Sequence, residues 1–175
     1  MLFRSEFAAT LILDALTVRE EWTSLRDTAK SFYDTKDLGS ATFKTKMYDI
    51  YRAARMEVVN QDFAKSKDFG KVADDYMAYY KEFPTSKDID AVLNDASVYY
   101  AKADRVADSM AVRTLLVEDA AFGNKTPFFY DQVGQLGYDY EQIADFDKAT
   151  HYYDQLFAIW PGEREKAVKA RDAEK

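Results

Sequence analysis

Cysteine is absent from this chain of 175 residues. That excludes disulfides, thiolate metal sites and a cysteine nucleophile, and it leaves the redox compartment open. Histidine is nearly absent. His151 stands alone, with no Glu-x-x-His or His-x-x-x-His partner, so a two-histidine metal site within one chain is excluded. It reads as a helix residue on a solvent or inter-helix surface. Basic charge is outweighed: 24 Lys and Arg face 31 Asp and Glu, for a net charge of −7. Non-specific nucleic-acid binding, which depends on displacing counterions with basic side chains, is disfavoured, and so is docking on anionic lipid. Long apolar runs are missing too. The longest, Phe7 to Leu16, is broken by Thr10 and Asp14 and falls short of the ~18 residues a membrane span needs. It follows Arg4 and Glu6 without a small-residue cleavage pattern, so it reads as a buried helix and not as a signal peptide. Proline occurs three times and glycine six times, which suits long helices joined by short turns.

What is present is apolar and aromatic. Hydrophobic residues make up 47% of the chain, enough to argue against disorder, and 13 Tyr and 12 Phe recur at helical spacing. No segment alternates with period two for long. The spacing predicts helices over about 5–16, 18–34, 41–66, 69–83, 87–102, 105–120, 127–142, 145–159 and 163–175. Thr85-Ser86 with Asp88, and Thr126 before Pro127, read as helix starts. Pro84 and Pro161 read as helix stops, and Asp37-Leu38-Gly39-Ser40 as a break. The fold class that follows is all-α: antiparallel helical hairpins over about 5–34, 41–83, 87–120 and 127–160, then a final helix over 163–175, in a single domain. Met1 and the helical character of the last residues are expected to be cuts in a longer protein.

The chain repeats itself. Asp68-Phe69-Gly70-Lys71-Val72 and Asp145-Phe146-Asp147-Lys148-Ala149 both begin Asp-Phe. Each continues to a Tyr four residues past Val72 or Ala149 and to a proline 12 residues past it, Pro84 and Pro161, preceded by Phe83 and Trp160. Leu136-Gly137-x-x-Tyr140, followed by Ala149, Tyr153 and Pro161, resembles the tetratricopeptide repeat signature. The small Gly137 lets two helices approach, Tyr140 fills the gap one turn on, and Ala149 is the small residue opposite. The frame carries back to Leu93, Ala96, Ser97 and Tyr100 with Ser109, Arg113 and Leu116. Before that come Met56, Val59, Asn60 and Phe63 with Val72, Tyr76 and Tyr79. The faintest set is Ala9, Ile12, Leu13 and Leu16 with Trp22, Leu25, Ala29 and Phe32. Leu25, Val72, Ser109 and Ala149 are separated by 47, 37 and 40 residues, longer than the usual ~34, so helices or loops are extended, most between the first two hairpins. Arg113 departs from the pattern at a position that is usually core. The resemblance implies a superhelix of hairpins, an α-solenoid. The loose spacing and the aromatic before proline are similar to repeat proteins of the bacterial envelope: Tol-Pal accessory proteins, outer-membrane assembly lipoproteins and gliding-motility proteins. That narrower likeness implies a periplasmic or outer-membrane-associated setting, and without it the setting is cytoplasmic.

No apparatus for catalysis is visible, so the chain is expected not to be an enzyme and to need neither cofactor nor metal. Asp74-Asp75, Asp88, Asp90, Asp95, Asp139, Glu141, Asp145 and Asp147 read as solvated faces and helix caps. No segment has the alternating acids, central glycine and closing glutamate of a calcium loop, and Phe122-Gly123-Asn124 reads as a turn. Tyr76, Tyr79, Tyr80 and Phe83 read as core packing, as do Tyr99-Tyr100 and Tyr152-Tyr153.

Stacked hairpins of this family present a concave face lined by their first helices. The resemblance assigns Glu57 and Gln61 to that face, then Asn94, Asp95 and Val98, then Asp131, Gln135 and Tyr138. These side chains suit a neutral or basic protein or peptide and are wrong for clamping an acidic C-terminal tail. The expected function is therefore a non-catalytic interaction scaffold without nucleic-acid partners or membrane insertion. Two alternatives stay open: a structural spacer or self-association domain, and an all-α enzyme accessory that uses carboxylates.

Overall fold

A computed structural model describes residues 2–173. Among them the chain forms eight α-helices and one 3₁₀ turn, without strands. It divides between Pro84 and Thr85 into two compact units. The first holds α1 (Leu2–Val18), α2 (Trp22–Asp34), α3 (Ala41–Ser66) and α4 (Phe69–Glu82). The second holds α5 (Ile89–Lys102), α6 (Val106–Glu118), the 3₁₀ turn Gly123–Lys125, α7 (Phe129–Gln142) and α8 (Phe146–Ala173). Consecutive helices pack on one another within each unit.

One backbone device is reused four times. Glu20, Lys67, Asp104 and Ala144 are the only non-glycine residues with positive φ among those described, at 55°, 54°, 59° and 59°. Each lies five residues before a frame residue: Leu25, Val72, Ser109 and Ala149. The amide of the following residue reaches back to close the turn in three cases: Glu21 donates to the carbonyl of Leu16 at 3.0 Å, Arg105 to that of Tyr100 at 2.9 Å and Asp145 to that of Tyr140 at 2.9 Å. In the fourth, Asp68 N–H donates to the Ser66 hydroxyl at 3.2 Å and the Lys67 amide to the Phe63 carbonyl at 2.8 Å. These bonds satisfy carbonyls that the end of a helix leaves free. The next helix then begins at once, with Leu25, Val72, Ser109 and Ala149 each donating to the carbonyl of the residue after the left-handed one.

In the first unit, Ser40 starts α3 by accepting the Phe43 amide at 3.3 Å. Lys44 Nζ binds the carbonyls of Phe32 and Tyr33, both at 2.7 Å, and that of Thr35, capping the C-terminal end of α2 with a positive charge. Phe83 is buried in a cage of Tyr48, Tyr51 and Tyr79, with ring centroids 5.7, 5.2 and 4.8 Å away. The extra length between the first two hairpins lies in α3, which has 26 residues where α5 and α7 have 14. Asn60, the α3 counterpart of Ser97 and Gly137, is exposed.

The second unit follows the repeat frame closely. Met110 and Val117 of α6, Phe129, Val133 and Leu136 of α7, and Tyr152 of α8 form one buried cluster, with Tyr140 and Leu156 against it. Tyr140 stacks on Tyr152 at 5.6 Å with an interplanar angle of 9°. A Cβ on Gly137 would sit 2.5 Å from Cε1 of Tyr153, so only glycine admits this ring. Where Ser97 replaces the glycine in the preceding hairpin, the Ser109 hydroxyl donates to the Ser97 carbonyl at 2.7 Å.

Two expectations change. Pro161 does not stop a helix: α8 runs through it to Ala173, so the described part of the separate helix expected over 163–175 is a continuation of α8. A proline inside a helix removes one hydrogen bond and costs about 3 kcal/mol, but it does not by itself end the helix. At Pro84 the preceding Phe83 leaves the helical region, with φ −130° and ψ 56°, and its buried ring holds it there. The side chain of Trp160, its sequence counterpart, lies outside the described residues, as do those of Ala167 and Ala170. Thr126 accepts the Phe128 amide at 3.3 Å as a start signal should, yet α7 begins only at Phe129, and the Thr126 hydroxyl donates to Asp90 of α5 at 3.0 Å.

Two stability predictions follow from these turns and contacts. Ala144→Gly removes the steric cost of a left-handed alanine and stabilises the chain by about 1 kcal/mol, read from denaturant unfolding. Gly137→Ala destabilises it by about 1–3 kcal/mol through overpacking, and most of that loss disappears in a Tyr153→Ala background.

Candidate functional site

Six of the eight residues assigned to a binding face lie in the second unit, on α5 and α7. Asn94, Asp95 and Val98 occupy one stripe of α5, and Asp131, Gln135 and Tyr138 recur at helical spacing on α7. The two helices touch through a pair of amides: Gln132 Nε2 donates to Asn94 Oδ1 at 2.7 Å. Asn94 Nδ2 also reaches Asp95 at 3.3 Å. Val98 and Tyr138 are exposed, by 38% and 51%, and they sit at equivalent places 40 residues apart. Asp95, three residues before Val98, and Asp131, seven residues before Tyr138, are also exposed. Glu57 and Gln61 belong to the first unit, half-buried one turn apart on α3.

Beneath the α7 stripe runs a buried polar seam. Gln135 Nε2 donates to Asp139 Oδ1 at 2.9 Å, and the other oxygen of Asp139 pairs with Arg113 Nη1 of α6. Arg113 and Asp139 are 6% and 8% exposed. Asp139 thus departs from the expectation of a solvated carboxylate, because the guanidinium lying across the α6–α7 joint needs a partner out of water. Arg113, the core-position departure in the sequence, is the other half of this pair. Arg113 Nε and Gln132 Oε1 are buried without a hydrogen-bond partner among the described residues. A separate polar contact joins α8 to α6: the Tyr152 hydroxyl donates to Glu118 Oε1 at 2.6 Å. Burial, and then that hydrogen bond, push the phenol well above its ordinary pKa, so it stays a donor.

The remaining polar groups follow simpler rules. His151 is exposed, 2.8 Å from Gln155 and edge-on to Tyr152. Asp145 accepts the Lys148 amide at 3.3 Å as a cap of α8, whereas Asp88 makes no side-chain cap bond at the start of α5. Tyr76, Tyr79 and Phe83 are buried and Tyr80 is half-buried. No group of three or more His, Asp or Glu side chains is placed to hold a metal ion among the described residues. No described helix is long and apolar enough to cross a membrane.

No protein-family model, curated protein or solved structure matches the chain.

The face therefore combines two exposed apolar anchors, a fixed amide pair and two flanking carboxylates on neighbouring helices. Its floor is held in register by groups the sequence did not single out for it, Gln132 and Asp139. Gln132 had no visible signal. Asp139 did have one: it stands at helical spacing from Gln132 and Gln135, one turn beyond the buried Leu136.

Asp139→Ala leaves a buried guanidinium unpaired and destabilises the fold by about 3–5 kcal/mol. Replacing both partners, Arg113→Met with Asp139→Leu, restores stability to within about 1 kcal/mol of the parent chain in the same unfolding assay.

Proposed function

We propose that the chain is a tetratricopeptide-like array of helical hairpins that binds an extended peptide or protein segment of neutral or basic character, without catalysing a reaction. The observation that carries this reading is the recurrence of an exposed apolar side chain, Val98 and then Tyr138, at one position of two successive first helices. A buried stripe would be core, and an exposed polar stripe would be solvent surface. An exposed apolar pair on an ordered floor is what a partner-binding face requires. Tyr138 offers a flat anchor of low conformational entropy whose hydroxyl stays in water.

Charge supports the partner class. Asp95 and Asp131 border the anchors, and no lysine or arginine stands among the six residues, so an acidic tail meets repulsion and a basic one attraction. The fourfold turn supports the hairpin array, because each unit presents its first helix at a repeated spacing.

Selection from a displayed library of random linear peptides tests the reading. Enrichment of sequences with zero or positive net charge is expected. Val98→Ser with Tyr138→Ala should weaken the selected peptides at least tenfold while leaving the unfolding transition in place. Enrichment of acidic peptides, or binding indifferent to both substitutions, contradicts it.

A further inference from the structure

Two carboxylates fix the direction of the amide hydrogen bonds on the α5–α7 face. Asp139, ion-paired with Arg113, can only accept, so Gln135 turns its amide nitrogen toward it, at 2.9 Å. Asp95 takes the Asn94 nitrogen in the same way, at 3.3 Å. Asn94 then has its carbonyl oxygen to offer across the joint, and it accepts the Gln132 nitrogen at 2.7 Å. All three amide nitrogens are engaged within the chain. The carbonyl oxygens of Gln132 and Gln135 are not.

The face is therefore rich in acceptors and poor in donors. Gln132 is 5% exposed, and its Oε1 is buried without a hydrogen-bond partner among the described residues. Its orientation is held although it strands an acceptor out of water, which native chains seldom leave unanswered. Gln135 Oε1 and the Asp131 carboxylate also have no partner among the described residues. Donors to answer them are missing from both helices. α7 contains no lysine or arginine. The one basic residue of α5, Lys102, stands in its last turn, with Nζ 5.3 Å from the centre of the Tyr99 ring. Asp131, Gln135 and Tyr138 follow one another at helical spacing, with the half-buried Gln135 between two exposed residues.

We propose that the segment bound on this face carries an arginine, whose guanidinium stacks on the Tyr138 ring and donates to Gln135 Oε1, with the Asp131 carboxylate as its countercharge. The proposal rests on the α5–α7 face being a peptide-binding surface, and it names the side chain that the surface selects. A guanidinium is planar and carries donors only. Its edge answers acceptors while its flat side lies on an aromatic ring. An ammonium brings the same charge but is more strongly hydrated and has no flat side to stack. A carboxylate would set oxygen against oxygen, and a carboxamide would donate without answering the charge of Asp131. The polarity of the amides thus discriminates between partners that net charge alone treats alike.

Titration of the isotope-labelled full chain with hexa-arginine amide and with hexa-lysine amide, at about 0.15 M salt, tests it. The pair separates recognition of the guanidinium from general attraction to a chain of net charge −7. Hexa-arginine amide should bind at least about fivefold tighter and should move the side-chain amide signals of Gln135 and the backbone amide signal of Tyr138. Tyr138→Ala should abolish the preference, Tyr138→Phe should keep it, and Asp131→Asn should weaken hexa-arginine amide about threefold or more, all with an unchanged unfolding transition. Equal affinity for the two peptides, or a preference for arginine that survives Tyr138→Ala, overturns the proposal. Library peptides that bind through Val98 and Tyr138 without enrichment of arginine overturn it too, and leave the binding face standing. A library that yields no peptide dependent on those two anchors removes both.

Discussion

Four times along this chain the backbone reverses through a left-handed residue, five positions ahead of a frame residue at the start of the next helix. A side chain in that conformation is strained by about 1 kcal/mol or more, and none of the four is glycine. The strain is offset by what the turn makes available. It satisfies the free carbonyls of one helix, starts the next without a loop, and brings the small or short residues of both helices face to face. Gly137 against Tyr153, and Ser97 against Ser109, exist because the turn sets the two helices at that spacing. The register of the proposed binding stripe is set by the same turn.

Within the second unit the joint between hairpins is part apolar and part ionic. The apolar cluster around Leu136 supplies most of the burial, whereas Arg113, Asp139 and Gln135 add little net stability and much positional constraint. A buried pair of opposite charges accepts one alignment of α6 on α7 and penalises its neighbours. The amide pair of Asn94 and Gln132 does the same between α5 and α7. The exposed Val98 and Tyr138 project from the two helices so joined, as the proposed binding of an extended partner requires. The first unit solves the same packing problem with aromatic rings around Phe83 and with the long α3, and its counterpart of Gly137, Asn60, faces solvent.

The helices were legible because their apolar positions repeat at helical spacing and their outer boundaries carry Ser40, Pro84 and Pro127. The intervals of 47, 37 and 40 residues were legible too, and the left-handed residues reproduce them. The turns inside the hairpins were not, because Glu20, Lys67, Asp104 and Ala144 share no residue type and no glycine marks them. Pro161 misled because a proline inside a helix removes one hydrogen bond without by itself ending the helix. Of the proposed face, the α5 and α7 stripes could be read from the frame, but the structural roles of Gln132 and Asp139 could not: a carboxylate near a helix end looks solvated until the guanidinium across the joint is known. The signals for it were Arg113 standing at a core position and the helical spacing of Asp139 from Gln132 and Gln135.

Backbone chemical shifts of the isotope-labelled chain in solution test the reiterated turn most directly. Left-handed shifts at Glu20, Lys67, Asp104 and Ala144, with non-helical values at Glu21, Asp68 and Arg105 and helical shifts in the helices before and after each turn, are the predicted result. Extended or helical values at two or more of these residues would break the common frame and, with it, the equivalence of Val98 and Tyr138 on which the proposed binding face depends.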